Sequence, residues 1–270
     1  MQYKYIQVSK LLNKITTKDR LFSGDYTLDP YKNCEFGCKY CDSAYEDAIY
    51  VKTNAVELFE KDIKNLDKGT IIIGSVHDPY QKIERDTRIT REILKIIKKN
   101  NFSCHILTKS DLVLRDLDIL ADIDDCRVTI SIISLDKNIT NIFEKNVSTS
   151  KDRLEIVKKL RDKGIQSGVA LLPVLPFFIE KELEKIIKQA KNYNASYLIS
   201  KYLELKGDQK KIFFDIIGEY HPILLSKYEE LYKDSYMPKE SYISKINYKL
   251  LTFSKFCISF SKSSTAFVLT

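Results

Sequence analysis

At 270 residues, with 44% hydrophobic and 30% charged side chains, the chain carries enough apolar material for a full core, as one barrel domain or two smaller ones. No apolar run reaches membrane-spanning length and no signal peptide is evident, so a cytoplasmic protein with no membrane partner is expected. The formal net charge of +7 suits an anionic partner such as nucleic acid, although runs such as Lys95-Ile96-Ile97-Lys98-Lys99 also have the spacing of a solvated helix face.

A short first strand at residues 26–28 runs into the loop Asn33-Cys34-Glu35-Phe36-Gly37-Cys38-Lys39-Tyr40-Cys41, whose cysteines have C-x3-C-x2-C spacing. Three thiolates can hold three irons of a cubane 4Fe-4S cluster and leave the fourth open, whereas a structural or electron-transfer cluster normally has four cysteine ligands. An open iron asks for a small molecule that can coordinate it, and S-adenosylmethionine is the obvious candidate. Zinc would need a fourth ligand, and no second close pair of Cys or His residues completes a tetrahedral set. Disulfides would need an oxidising compartment, and Cys104, Cys126 and Cys257 stand singly in apolar surroundings, as buried small hydrophobes do.

Downstream, amphipathic helical stretches at residues 54–66, 86–100, 151–163 and 180–193 alternate with β-branched runs at 70–74, 105–108, 127–132, 167–172 and 196–199. With the first strand these make about six βα units, which predicts an α/β fold, a partial (β/α)6 barrel of the TIM type rather than a closed eight-fold one. Such barrels build their sites from loops at the C-terminal ends of the strands. The cysteine loop follows the first strand, Gly74-Ser75-Val76-His77-Asp78-Pro79-Tyr80 the second and Thr108-Lys109-Ser110 the third. Ser131 ends the fourth and Pro173-Val174-Leu175-Pro176 follows the fifth, so all converge on one mouth.

Beyond residue 205 the alternation stops. A helical, tyrosine-rich extension is expected over residues 206–270, with Pro222 and Pro238 at helix boundaries, packed on a barrel core of residues 1–205. Tyr202, Tyr220, Tyr228, Tyr232, Tyr236, Tyr242 and Tyr248 have more the character of packing than of a surface for bases, and Ser261-Lys262-Ser263-Ser264 reads as a tail.

Several of these segments resemble recurring motifs of the radical S-adenosylmethionine superfamily, and within it the branch of spore photoproduct lyase and DNA repair photolyase-like proteins. The likeness rests on the cysteine triplet together with Asp29-Pro30-Tyr31, Asp78-Pro79-Tyr80-Gln81-Lys82-Ile83-Glu84, Thr90-Arg91-Glu92-Ile93-Leu94, Thr108-Lys109-Ser110 and Leu114-Arg115-Asp116-Leu117-Asp118, and covers most of residues 24–180. The resemblance implies a 4Fe-4S cluster on Cys34, Cys38 and Cys41 that binds the amino and carboxylate groups of S-adenosylmethionine. An electron from an external low-potential donor of the flavodoxin or ferredoxin type would then split the sulfonium to methionine and a 5′-deoxyadenosyl radical, which abstracts hydrogen from the substrate. The resemblance further implies cofactor contacts from Tyr40, facing the adenine, from Lys109 as a cation for the carboxylate, from Ser131, and from Gly74, Ser75 and Asp78 near the amino group.

Departures from the branch bear on the outcome. Spore photoproduct lyases return a hydrogen atom through a cysteine after the second strand and a tyrosine just after the third cluster cysteine, and Ser75 and Asp42 stand in those places here. A serine O–H is a far poorer hydrogen-atom donor than a thiol, which speaks against lyase activity on a thymine dimer. His77 occupies a position where the relatives generally carry threonine, and with Asp42 and Ser75 it makes up the candidates for catalysis on the substrate. The Leu-Glu-Pro…Ala-Pro stretch expected after the fourth strand is replaced by Phe143-Glu144-Lys145-Asn146-Val147-Ser148-Thr149. The substrate is left open between nucleic acid and a peptide or small metabolite, and a monomer is expected. The alternative of a different class is a non-catalytic iron-sulfur module that binds nucleic acid or senses redox state, against which the converging cofactor motifs count.

Overall fold

A computed structural model describes residues 1–17, 19, 21–42, 47–254, 259–260 and 264–268. In chain order the strands and helices begin with β1 (Gln2–Ile6), β2 (Leu12–Lys14), β3 (Tyr26–Leu28), β4 (Tyr31–Lys32), β5 (Ala48–Lys52) and α1 (Ala55–Asp62). They continue with β6 (Thr70–Ile73), α2 (Glu84–Thr87), α3 (Ile89–Lys99), β7 (Ser103–Thr108), α4 (Leu117–Leu120), β8 (Cys126–Ser131), α5 (Lys137–Phe143) and α6 (Ser150–Asp162). After β9 (Gln166–Val174), α7 (Leu183–Asn192) and β10 (Tyr197–Tyr202) come α8 (Asp208–Tyr220), α9 (Pro222–Leu231), α10 (Glu240–Ser254), β11 (Ser259–Phe260) and β12 (Ser264–Val268).

β3, β6, β7, β8, β9 and β10 lie side by side in that order, each parallel to the next. This is the partial (β/α)6 barrel, with the helices of the βα units on its outer face. Its two edges are covered by antiparallel strands, β2 against β3 and β12 against β10. A second, small sheet of β1, β5 and β4 stands apart from the barrel and brackets the cysteine loop in sequence. Neither the small sheet nor the edge strands show an alternation long enough to read from sequence. Of the stretch read as a tail, Ser264 begins β12, while residues 261–263 and Cys257 lie outside the described residues. Among the described residues no helix is long and apolar enough to cross a membrane.

Period-two alternation sorts each strand between two surroundings. Ile71, Ile73, Cys104, Ile106, Val128, Ile130, Val169, Leu171 and Leu198 face the helices, whereas Ile72, Ala170 and Ile199 face the barrel interior with Leu107 and Leu172. His105 and Thr129 share that interior: His105 Nε2 lies 2.6 Å from Thr129 Oγ1 and its Nδ1 lies 3.0 Å from the Phe22 carbonyl. A carbonyl can only accept, so Nδ1 carries the proton and Nε2 accepts from Thr129. Cys104 and Cys126 are register partners on β7 and β8, with Sγ atoms 3.5 Å apart in the outer core.

The helix expected over residues 86–100 is broken in two at Arg88, which takes φ 52. The break has a physical cause: the buried Glu84 carboxylate accepts from Thr90 N at 3.0 Å and Arg91 N at 3.3 Å, satisfying donors at the start of α3 that a continuous helix would bond internally. The extension packs α8 and α9 onto the cysteine side of the barrel through Phe213, Ile217, Tyr228 and Tyr232. Tyr202, Tyr228 and Tyr232 are wholly buried with their hydroxyls donated to carbonyl oxygens of Ile243, Pro176 and Leu203. Tyr220, Tyr236 and Tyr248 are exposed.

Candidate active site

The cysteine loop is fixed from both ends. Asn33 takes φ 69, a conformation open to asparagine, and its side chain donates to Ala48 O at 2.8 Å. Gln81, wholly buried, accepts from Glu35 N at 2.8 Å and donates to Asn33 O at 2.9 Å, while Glu35 in return accepts from Ile83 N at 3.0 Å. The far end is held by other elements, with Lys39 N donating to Phe143 O at 2.9 Å and Gln209 of α8 donating to Lys39 O at 3.3 Å.

Behind the loop, the motif residues form one buried network. The Tyr31 hydroxyl donates to Glu84, and Arg115 reaches the other Glu84 oxygen at 2.7 Å. Tyr80 and Arg91 bond Asp116 at 3.1 and 2.7 Å, and Thr90 donates to Pro79 O at 2.7 Å. Asp29 accepts from Val76 N and His77 N at 3.4 and 3.3 Å. These residues hold the loop and the β6 end in register.

Cys34, Cys38 and Cys41 line a single cavity, which Tyr40, Gly74, Ser75, Asp78 and Lys109 also wall. Gly74 takes φ +86, and a Cβ there would meet Leu107 O and Pro79 Cδ, each at 2.5 Å, so only glycine fits the close approach of β6 and β7. The half-buried Asp78 carboxylate accepts from Thr108 Oγ1, Lys109 N and Tyr80 N at 2.7, 2.8 and 2.9 Å, which fixes the backbone from which Lys109 projects. Burial raises the Asp78 pKa and these donors partly oppose the rise. The Lys109 ammonium lies 5.9 Å from the Tyr40 ring centroid. Burial disfavours its charge, yet the neighbouring Cys38, Glu144 and Asp78 outweigh this and raise its pKa.

Ser131, though at the end of β8, does not line the cavity; its hydroxyl donates to Leu172 O at 3.1 Å across the strands. His77 also stands back from the cavity, its pKa lowered to about 4 by burial and by the cations Lys52 and Lys32, with Asp42 opposing. Asp42 is exposed, 3.9 Å from the Cys41 sulfur.

The donor set suits an iron-sulfur cluster. Cys34, Cys38 and Cys41 ring one cavity, with Lys109 on its wall. Burial pushes the thiol pKa values of Cys34 and Cys38 up to about 12, so cluster binding must displace their protons.

A family model for the radical SAM superfamily matches residues 28–190, which spans the cysteine loop and the parallel strands β6, β7, β8 and β9. The chain belongs to the radical SAM superfamily. An uncharacterized protein of Methanocaldococcus jannaschii is 32% identical over 195 residues, covering 68% of this chain and 73% of that protein. An uncharacterized protein of Mycobacterium tuberculosis is 25% identical over 234 residues, covering 79% and 69% respectively. Among solved structures, spore photoproduct lyase complexed with dinucleoside spore photoproduct matches with a TM-score of 0.69 at 15% identity, over 94% of this chain and 78% of that chain. TYW1 with a lysine-pyruvate adduct bound gives 0.58 at 12% identity, over 93% and 83%. At these identities the likeness is one of fold. Superfamily membership carries with it a 4Fe-4S cluster, S-adenosylmethionine and enzymatic activity as the family's attributes.

Two residues of this radical SAM site escape the sequence reading. Glu144 falls in the stretch read as diverged, yet it turns inward, wholly buried, and accepts from the Tyr40 hydroxyl. Arg153, also buried, pairs with it at 2.6 Å. The available signal was an arginine on the apolar stripe of α6, sharing a face with Ile156, Val157 and Leu160.

Proposed function

We propose that the chain cleaves S-adenosylmethionine reductively at a 4Fe-4S cluster held by Cys34, Cys38 and Cys41, and abstracts hydrogen from a nucleic-acid substrate. The observation that carries this is the convergence of the three thiols on one cavity whose other walls, Gly74, Ser75 and Lys109, are strand ends of the barrel. When bound, the cluster supplies the electron and the cofactor supplies the 5′-deoxyadenosyl radical. The protein's part is to bind and orient. Lys109 offers an ammonium for the methionine carboxylate, and Tyr40 an aromatic wall for the adenine. Gly74 lets the β6 end approach without a side chain in the way, and Asp78 holds the Lys109 backbone in place.

The electron comes from an external donor of the flavodoxin or ferredoxin type. A nucleic-acid substrate is supported by the net charge of +7 and by the dinucleoside bound in the spore photoproduct lyase structure of similar fold. With Ser75 on the cavity wall and Asp42 beside Cys41, the substrate radical must be quenched by some other donor than the lyase thiol. We place the protein in the cytoplasm as a monomer, with residues 206–270 forming an extension packed on a core of residues 1–205.

Anaerobic reconstitution with iron and sulfide, then reduction in the presence of S-adenosylmethionine, should release 5′-deoxyadenosine. Cluster-loaded, reduced protein that releases none, with or without DNA or RNA, would refute the proposal.

A further inference from the structure

The Cys38 to Cys41 arm of the loop rests on a buried charged device that the chemistry above leaves without a role. Glu144, directly after α5, and Arg153 of α6 pair at 2.6 Å with both side chains wholly excluded from solvent. Glu144 Oε1 accepts from the Tyr40 hydroxyl, and Arg153 donates also to Ser131 O at 2.7 Å. Lys39 N is bonded to Phe143 O at 2.9 Å, so backbone and side chain both tie this arm to the end of α5.

Stability alone does not account for the pair. A buried ion pair is commonly matched or bettered by apolar side chains of the same volume, and this one leaves Arg153 Nε buried with no hydrogen-bond partner. What an apolar pair could not supply is an acceptor for the Tyr40 hydroxyl.

We propose that Glu144, held by Arg153, is a positioning residue that fixes the Tyr40 ring as a wall of the cofactor cavity. This rests on the reading of the three cysteines as cluster ligands.

Glu144→Gln alone would strand Arg153 as a buried cation and endanger folding. The apolar pair Glu144→Leu with Arg153→Met, and separately Tyr40→Phe, carry the test, with Glu144→Gln plus Arg153→Met as the variant that keeps an acceptor for Tyr40. Wild type and variants are reconstituted anaerobically, their iron content and melting temperature measured, and the Kd for S-adenosylmethionine read by equilibrium dialysis beside KM and kcat. In the apolar pair variant and in Tyr40→Phe, Kd and KM should rise about tenfold with kcat little changed, because the ring loses its anchor, and the Gln-Met variant should stay near wild type. A fall in melting temperature with Kd and KM unchanged in the cluster-loaded variants would make the pair merely structural and overturn the proposal. If the pair variant does not fold, the KM of Tyr40→Phe decides alone. A wild type that takes up no cluster would overturn the cluster reading itself, an outcome distinct from a loaded wild type with unmoved variants.

Discussion

Gly74→Ala puts the cavity wall under a defined load. The residue follows β6 at φ +86, where a left-handed alanine costs about 1 kcal/mol. Its Cβ would also stand 2.5 Å from Leu107 O and from Pro79 Cδ, and neither is the far end of a flexible side chain. Relief requires the ends of β6 and β7 to part, an overpacking cost of about 1–3 kcal/mol. The total is about 2–4 kcal/mol. Gly164→Ala supplies the control, since Gly164 has φ +78 after α6 but nothing within 4 Å of its Cβ, leaving only the conformational cost of about 1 kcal/mol. Urea denaturation of the cluster-free proteins, followed by circular dichroism, should place Gly74→Ala at least about 1 kcal/mol below Gly164→Ala. Because Gly74 and Cys34 line the same cavity, Gly74→Ala should also load less iron. Equal midpoints for the two variants would refute the steric reasoning.

Replacing any one of Cys34, Cys38 and Cys41 by alanine should abolish cluster loading and 5′-deoxyadenosine release together, read by iron analysis and product chromatography; Cys104→Ala should retain both. Arg115→Met strips the buried Glu84 of its counter-charge and should cost about 3–5 kcal/mol in denaturant titration, whereas the exposed Asp118→Asn should change little. His105 sits inside the barrel with its pKa lowered by burial to about 4, so the fold holds it neutral while the unfolded chain protonates near 6.5. Its contribution is therefore complete above pH 6.5 and is lost as pH falls toward 4, up to about 3 kcal/mol. His105→Gln should flatten the fall of melting temperature across that window, and an unaltered slope would contradict the assignment.

The six parallel strands are legible because alternation and β-branching are properties of neighbouring residues, and the cysteine spacing is legible for the same reason. The break at Arg88 is not, since the helix pattern of residues 86–100 continues across it and the cause is the buried carboxylate of Glu84, four residues upstream. Ser131 illustrates the converse. Its place at a strand end is read correctly, but its hydroxyl is taken by Leu172 O, a partner fixed by the pairing of β8 with β9.

By itself the sequence determined the order of βα units, the loop that carries the thiols and the strand ends that meet at one mouth. Tertiary structure alone decided which charges are buried beside them. Tyr40 and Glu144 lie 104 positions apart, Glu35 and Gln81 46 apart, and nothing local marks either pair. A charged or polar group taken out of water must find a partner, and which groups leave water is set by how the helices close over the sheet.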